Sequence, residues 1–179
     1  KIEVHRNELH VKRIVYTITT KGENLTTLSD TFDSTVHWLE KVKKKYHLEF
    51  NSEVWIVSEE DNYEKNRDFY RSIEDRGGVV LATPRLYSTP YHTQFKARAL
   101  QYALEARMIR GINTADDWVY HQDTETMIGE DTVLGNLDFI IDANERRLIG
   151  AGIIIYPQDW RYRYNSVEET TRSVSDISA

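Results

Sequence analysis

A chain of 179 residues is long enough for one sizeable hydrophobic core, and 40% hydrophobic with 29% charged residues is the balance of a folded globular protein. A net charge of −6, with basic residues dispersed, argues against a broad cationic surface for nucleic acid, and the absence of cysteine excludes disulfides, thiolate metal sites and cysteine nucleophiles. No Pro/Gly/Ser-rich linker divides the chain, so residues 1–179 read as one domain, and no apolar run approaches the roughly 20 residues that span a bilayer.

Five short apolar runs alternate with longer amphipathic segments, the βαβαβαβαβ order of a mostly parallel sheet with covering helices. The first strand is expected at Ile14 to Thr19. It is followed by a long helix in which Leu25, Leu28, Phe32, Val36, Leu39 and Tyr46 recur at helical spacing, with Thr26 or Thr27 as cap. The run Lys43 to Lys45 in that helix reads as a solvated face. A second strand at Glu53 to Val57 leads into a weaker, shorter helix within Asn62 to Asp75, and a third strand covers Val79 to Ala82. Phe95, Leu100, Tyr102, Leu104 and Met108 give the next amphipathic helix an apolar face, and Gly111 ends it. The fourth strand is Trp118 to His121, the next helix carries Val133, Leu137, Ile140 and Ile141, and the fifth strand is Leu148 to Tyr156. Ser166-Val167-Glu168-Glu169 reads as a capping box opening a last helix.

In open parallel sheets, ligands bind beyond the carboxyl ends of the strands where strand order reverses. The residues there are Thr19-Thr20-Lys21-Gly22-Glu23, Ser58-Glu59-Glu60-Asp61, Thr83-Pro84-Arg85 and Gln122-Asp123-Thr124-Glu125, and three of these four segments carry carboxylates. Asp123 and Glu125, spaced i, i+2 at a strand end, are hard oxygen donors that suit Mg²⁺ or Mn²⁺ and, through it, a diphosphate. With 29 acidic residues in the chain, on the order of five acidic-x-acidic matches arise by chance, so the strand-end context carries the weight. Lys96 and Arg98 open the fourth helix, where cations beside a helix start suit an anion, although an ordinary surface pair has the same sequence. His121 reads as a satisfied residue of a buried strand and stays outside the metal shell.

Lys96-Ala97-Arg98-Ala99-Leu100-Gln101-Tyr102, then Trp118 to Thr126, then Ile149-Gly150-Ala151-Gly152-Ile153-Ile154-Ile155-Tyr156 occur in an order and spacing that resemble family-2 glycosyltransferases, particularly the egghead-type β-1,4-mannosyltransferases. The resemblance covers roughly residues 13 to 165. It implies a GT-A-like, Rossmann-like α/β fold and a metal-dependent inverting hexosyl transfer from a nucleoside-diphosphate sugar, GDP-mannose or a UDP-sugar, to a glycan or glycolipid acceptor. It puts the metal motif on Asp123 and Glu125 and donor contacts on Lys96 and Arg98. It also puts the nucleotide base near Thr19, Thr20 and Glu23 and near Glu59, Glu60 and Asp61, where family members often have a single Asp. The family's catalytic base and membrane-associated helices come later than Ala179, so the resemblance implies the donor-binding part of a larger domain. Such a part is expected to bind donor with little transfer, to lie in the cytoplasm or at its membrane face, and to meet a membrane only through a C-terminal part beyond Ala179. The rival readings are a sugar nucleotidyltransferase, for which Lys21-Gly22 is a meagre loop, and a non-catalytic nucleotide-sugar-binding module.

Overall fold

The computed structural model describes residues 11–114, 116–142 and 149–150. The chain divides into two units, Lys1–Asp142 and Ala143–Ala179. The first holds the elements described here; the expected fifth strand, apart from Ile149 and Gly150, and the expected last helix lie outside the described residues.

Four strands, β1 (Arg13–Thr19), β2 (Asn51–Glu59), β3 (Val79–Thr83) and β4 (Asp117–Asp123), form an all-parallel sheet in the order β3-β2-β1-β4. This is the α/β, Rossmann-like arrangement expected from the alternating runs. β1, with paired strands on both sides, is buried from Ile14 onward, as the continuous apolar run Ile14-Val15-Tyr16 requires. The chain moves outward from β1 to β3 and then returns to pair β4 on the other side of β1. Strand order therefore reverses between β1 and β4.

One face of the sheet carries Ile14, Tyr16, Ile18, Val54 and Ile56. It packs under the helices α1 (Leu25–Tyr46), α3 (Arg67–Asp75) and α5 (Glu130–Asp142) through Leu28, Phe32, Leu39, Tyr70, Ile73, Val133 and Leu137. The opposite face carries Val15, Trp55, Val57 and Leu81 beneath α4 (Phe95–Ile109). The short helix α2 (Glu60–Lys65) continues directly from β2. Asn62 to Asp75, expected as one short helix, is thus divided at Asn66, and Glu60 and Asp61 stand in a helical first turn rather than in a loop.

Three local devices differ from, or add to, the sequence reading. The cap of α1 is Asn24, whose side chain accepts from the Thr27 N–H at 3.1 Å; both threonines lie inside the helix. Lys43, Lys44 and Lys45 occupy the last turn of α1, where positive charge complements the exposed carbonyls. Gly78 precedes β3 because a Cβ there would lie 2.6 Å from Ile73 Cγ2 and 2.8 Å from Phe32 Cε2.

The largest departure is the rotation of α4. Its buried residues are Ala99, Ala103 and Arg107, whereas Phe95, Leu104 and Met108, expected to face the core, are exposed and Leu100 is half-buried. Alanines let the helix approach the sheet closely over the bulky Trp55, while Gly111, at φ 69°, ends the helix as expected. Among the described residues no helix is long and apolar enough to cross a membrane.

Candidate functional site

Parallel pairing sets every strand's carboxyl end along one edge of the sheet, and the register fixes which residues meet there. Thr19 lies level with Val57 on β2 and with Asp123 on β4, while Glu59 lies level with Thr83 on β3. Because side chains alternate along a strand, Thr19, Glu59, Asp123 and His121 all stand on the face that α4 covers. Asp123 sits at the strand reversal itself.

Lys96, Ala99, Ala103 and Arg107 fall on one stripe of α4 at i, i+3, i+7 and i+11. The alanines seat that stripe on the sheet, so Lys96 leans over the strand ends and its Nζ donates to Asp123 Oδ1. Both side chains are about half exposed, at 49% and 53%, so the pair is open to exchange with a ligand. The β4 end is fixed from behind. The buried Gln122 donates to the Thr35 hydroxyl at 3.2 Å and to the Thr126 carbonyl, Thr126 N–H closes a turn on Asp123 O at 3.0 Å, and the Thr124 hydroxyl donates to Thr19 O at 3.0 Å. Glu125 is exposed within this turn.

Arg98 is committed differently. Its Nη1 donates to Glu59, its Nε to Tyr87 O at 2.9 Å, and its Nη2 to Pro84 O and to Arg85 O, the last at 3.1 Å. With only 14% of its side chain exposed, it fastens the segment after β3 to the end of β2 and leaves little of its fork for a phosphate. Tyr87 strengthens the attachment by donating to Glu105 Oε1 on α4 at 2.7 Å. Desolvation and that carboxylate push its hydroxyl pKa up to about 12. Arg98→Ala should therefore loosen the 84–87 segment and cost about 1–3 kcal/mol, because several acceptors lose their donor together. Thermal unfolding checks this. Arg98→Lys should restore less than half of the loss, since an ammonium cannot reproduce the planar fork.

Glu59, Glu60, Asp61, Arg85 and Arg98 line a pocket of about 180 Å³. This is smaller than the roughly 300–1,000 Å³ of drug-sized ligand sites and suits a single ring rather than a whole nucleotide sugar. Arg85 closes its outer side, donating through Nε to Asp61 Oδ1 at 3.0 Å and through its backbone N–H to Glu60 Oε2 at 2.9 Å. The turn after β1 borders α2: Thr20 Oγ1 accepts from Gly22 N at 2.9 Å, and Asn62 Nδ2 donates to Lys21 O. Gly22, at φ 74°, has no room for a Cβ, which would lie 2.9 Å from Asn62 Cβ.

The structure therefore gathers Thr19, Lys96 and Asp123 at the strand reversal and Glu59, Glu60, Asp61 and Arg98 around the neighbouring pocket. Glu23 is exposed, and neither it nor Glu125 is among the side chains bonded to these groups. His121 is not a satisfied core residue: it is exposed at the β4 edge. Its ring is still desolvated enough to hold its pKa below the ordinary value, with the Arg107 and Lys96 cations adding to that effect. Sequence reasoning missed Arg85 as a partner of Asp61, and Asn62 and Gln122 as braces. Arg85 carried a signal, its place just after a strand, whereas the braces become visible only in three dimensions.

Asp123 and Glu125 offer hard oxygen ligands on an open turn, and among the described residues no group of three or more His, Cys, Asp or Glu side chains is placed to hold a metal. Carboxylates are the donor type that Mg²⁺ and Mn²⁺ take, and two of them alone would leave most of either ion's coordination to other oxygens.

The chain is 34% identical over 79 residues to β-1,4-mannosyltransferase egh of Drosophila melanogaster, a stretch covering 44% of this chain and 16% of the fly protein. It is 37% identical over 76 residues to β-1,4-mannosyltransferase bre-3 of Caenorhabditis elegans, covering 42% of this chain and 16% of the worm protein. The bre-3 protein of Caenorhabditis briggsae matches to the same extent. The resemblance to egghead-type β-1,4-mannosyltransferases drawn from the motifs holds in these alignments. No family model matches the chain, and no solved structure does.

Proposed function

We propose that this chain is the donor-binding part of a GT-A-type, metal-dependent, inverting glycosyltransferase that moves a hexose, mannose in the first instance, from a nucleoside-diphosphate sugar to an acceptor hydroxyl of a glycan or glycolipid. The observation that carries the reading is Asp123, an exposed carboxylate at the reversal of strand order, paired with a lysine from the helix start above it. Similarity to named mannosyltransferases over part of the chain supports the reaction class.

In this reading the pocket of Glu59, Glu60 and Asp61 takes the base or ribose, with carboxylates accepting from its N–H or O–H groups. Thr19, level with Asp123 in the sheet register, and Thr20 after it would lie near the base. Lys96 meets the diphosphate as a mobile point charge, and Arg98 acts by holding Glu59 and the 84–87 segment in place. Asp123 and Glu125 would hold Mg²⁺ or Mn²⁺, which when bound neutralises charge on the departing nucleoside diphosphate.

The test is titration calorimetry with GDP-mannose and with UDP-sugars, each with and without Mn²⁺. Metal-dependent binding of one nucleoside-diphosphate sugar is the expected result. Failure of all of them to bind in the presence of Mn²⁺ would overturn the proposal, and pyrophosphate-dependent release of a nucleoside triphosphate would mark a nucleotidyltransferase instead.

A further inference from the structure

Lys96 and Asp123 are both proposed to touch the donor complex, one through phosphate and one through the cation, yet here they are bonded to each other. From this we infer that Lys96 acts as a resident counter-ion that keeps Asp123 from taking a divalent cation until a diphosphate arrives to receive the lysine. The inference rests on the proposed donor site and concerns the order in which that site fills.

Three features support the exchange. First, the Lys96 ammonium sits on Oδ1, one of the two oxygens of the Asp123 carboxylate, so a cation held by the same carboxylate would lie close to a like-signed charge, and such charges repel even through water. Second, the bond is easily given up: half-exposed ion pairs are weakly held, and the flexible four-carbon stem of lysine lets the ammonium swing while Ala99 and Ala103 keep the helix backbone seated. Third, among the described residues no group of three or more His, Cys, Asp or Glu side chains is placed to hold a cation against the lysine. A nucleoside diphosphate alters the balance by offering Lys96 a stronger anion and the cation further oxygens. Cation and diphosphate should then favour each other's binding, and the coupling must be the same in both directions.

The experiment is Mn²⁺ titration followed by electron paramagnetic resonance, with Mn²⁺ alone and with Mn²⁺ plus GDP or UDP, whichever binds, on the wild-type chain and on Lys96→Met, Lys96→Arg and Asp123→Asn. Lys96→Met should bind Mn²⁺ alone about threefold more tightly than wild type, the scale a half-exposed ion pair allows, and the gain in Mn²⁺ affinity on adding the nucleotide should shrink by a similar factor. Lys96→Arg keeps the positive charge beside Asp123 and should therefore bind Mn²⁺ alone less tightly than Lys96→Met does. Far-ultraviolet circular dichroism verifies that each variant is folded. Unchanged or weaker Mn²⁺ binding by folded Lys96→Met would overturn the inference. If Asp123→Asn still abolishes nucleotide-linked Mn²⁺ binding in that case, the donor-site reading stands and only the counter-ion role falls. Wild-type binding by Asp123→Asn would instead remove the site itself.

Discussion

Asp123→Ala is expected to reduce Mn²⁺-dependent binding of the nucleoside diphosphate by about 100-fold, near 2.8 kcal/mol at 1.4 kcal/mol per decade. Asp123 stands at the reversal of strand order, level with Thr19, and is the carboxylate that the Lys96 ammonium reaches from the helix start. Without it, Glu125 alone would face the cation from an exposed turn, leaving the diphosphate charge largely uncompensated. The loss should appear in binding and not in folding. Asp123 is about half exposed, its ion pair with Lys96 is worth under about 1 kcal/mol, and the turn is held by Gln122 and Thr124 rather than by the Asp123 side chain. Calorimetry with and without Mn²⁺, beside a thermal melt, separates the two effects. A variant that melts like wild type and retains metal-dependent affinity would take Asp123 out of the site.

That the strand ends would matter was legible because parallel strands announce themselves as bounded apolar runs, and their order along the chain says which residues come after each one. All four described strands lie where the runs placed them, with β2 and β4 extending by a few polar residues toward the site. Those extensions are consequential: Glu59 and Asp123 are the last strand residues rather than the first loop residues, so pairing fixes their positions. Roles that depend on who stands opposite were not legible. Arg98 read either as a cation for an anion or as an ordinary surface residue, and the structure directs its donors to Tyr87 O, Pro84 O and Arg85 O. His121 read as buried because its neighbours are apolar, yet β4 is an edge strand among the described residues and its ring reaches the surface. The helix cap shows the same limit at short range, since Asn, Ser and Thr are all good caps by type and here it is Asn24 whose side chain accepts from the Thr27 N–H.

The face of α4 is where periodicity misled most, and it yields the second large effect. Apolar spacing favoured Leu100, Leu104 and Met108 as the buried stripe, but close approach over Trp55 and Val57 demands small side chains, and Ala99 and Ala103 supply them. Ala103 is fully buried, whereas Leu104 is 42% exposed. Ala103→Leu should therefore cost about 1–3 kcal/mol by overpacking, although leucine suits a helix nearly as well as alanine. Leu104→Ala should stay within about 1 kcal/mol, since much of that side chain is already in water. A helix forced outward at Ala103 also carries its first turn away from the strand ends. The Lys96 to Asp123 and Arg98 to Glu59 pairs span that gap directly, so nucleoside-diphosphate affinity should fall along with stability in Ala103→Leu and remain near wild type in Leu104→Ala. Melting temperatures and calorimetric affinities for the two variants, measured side by side, decide the matter. The opposite ranking would mean that α4 is turned by about a quarter of its circumference and that its leucines, not its alanines, seat the helix whose first turn reaches Asp123.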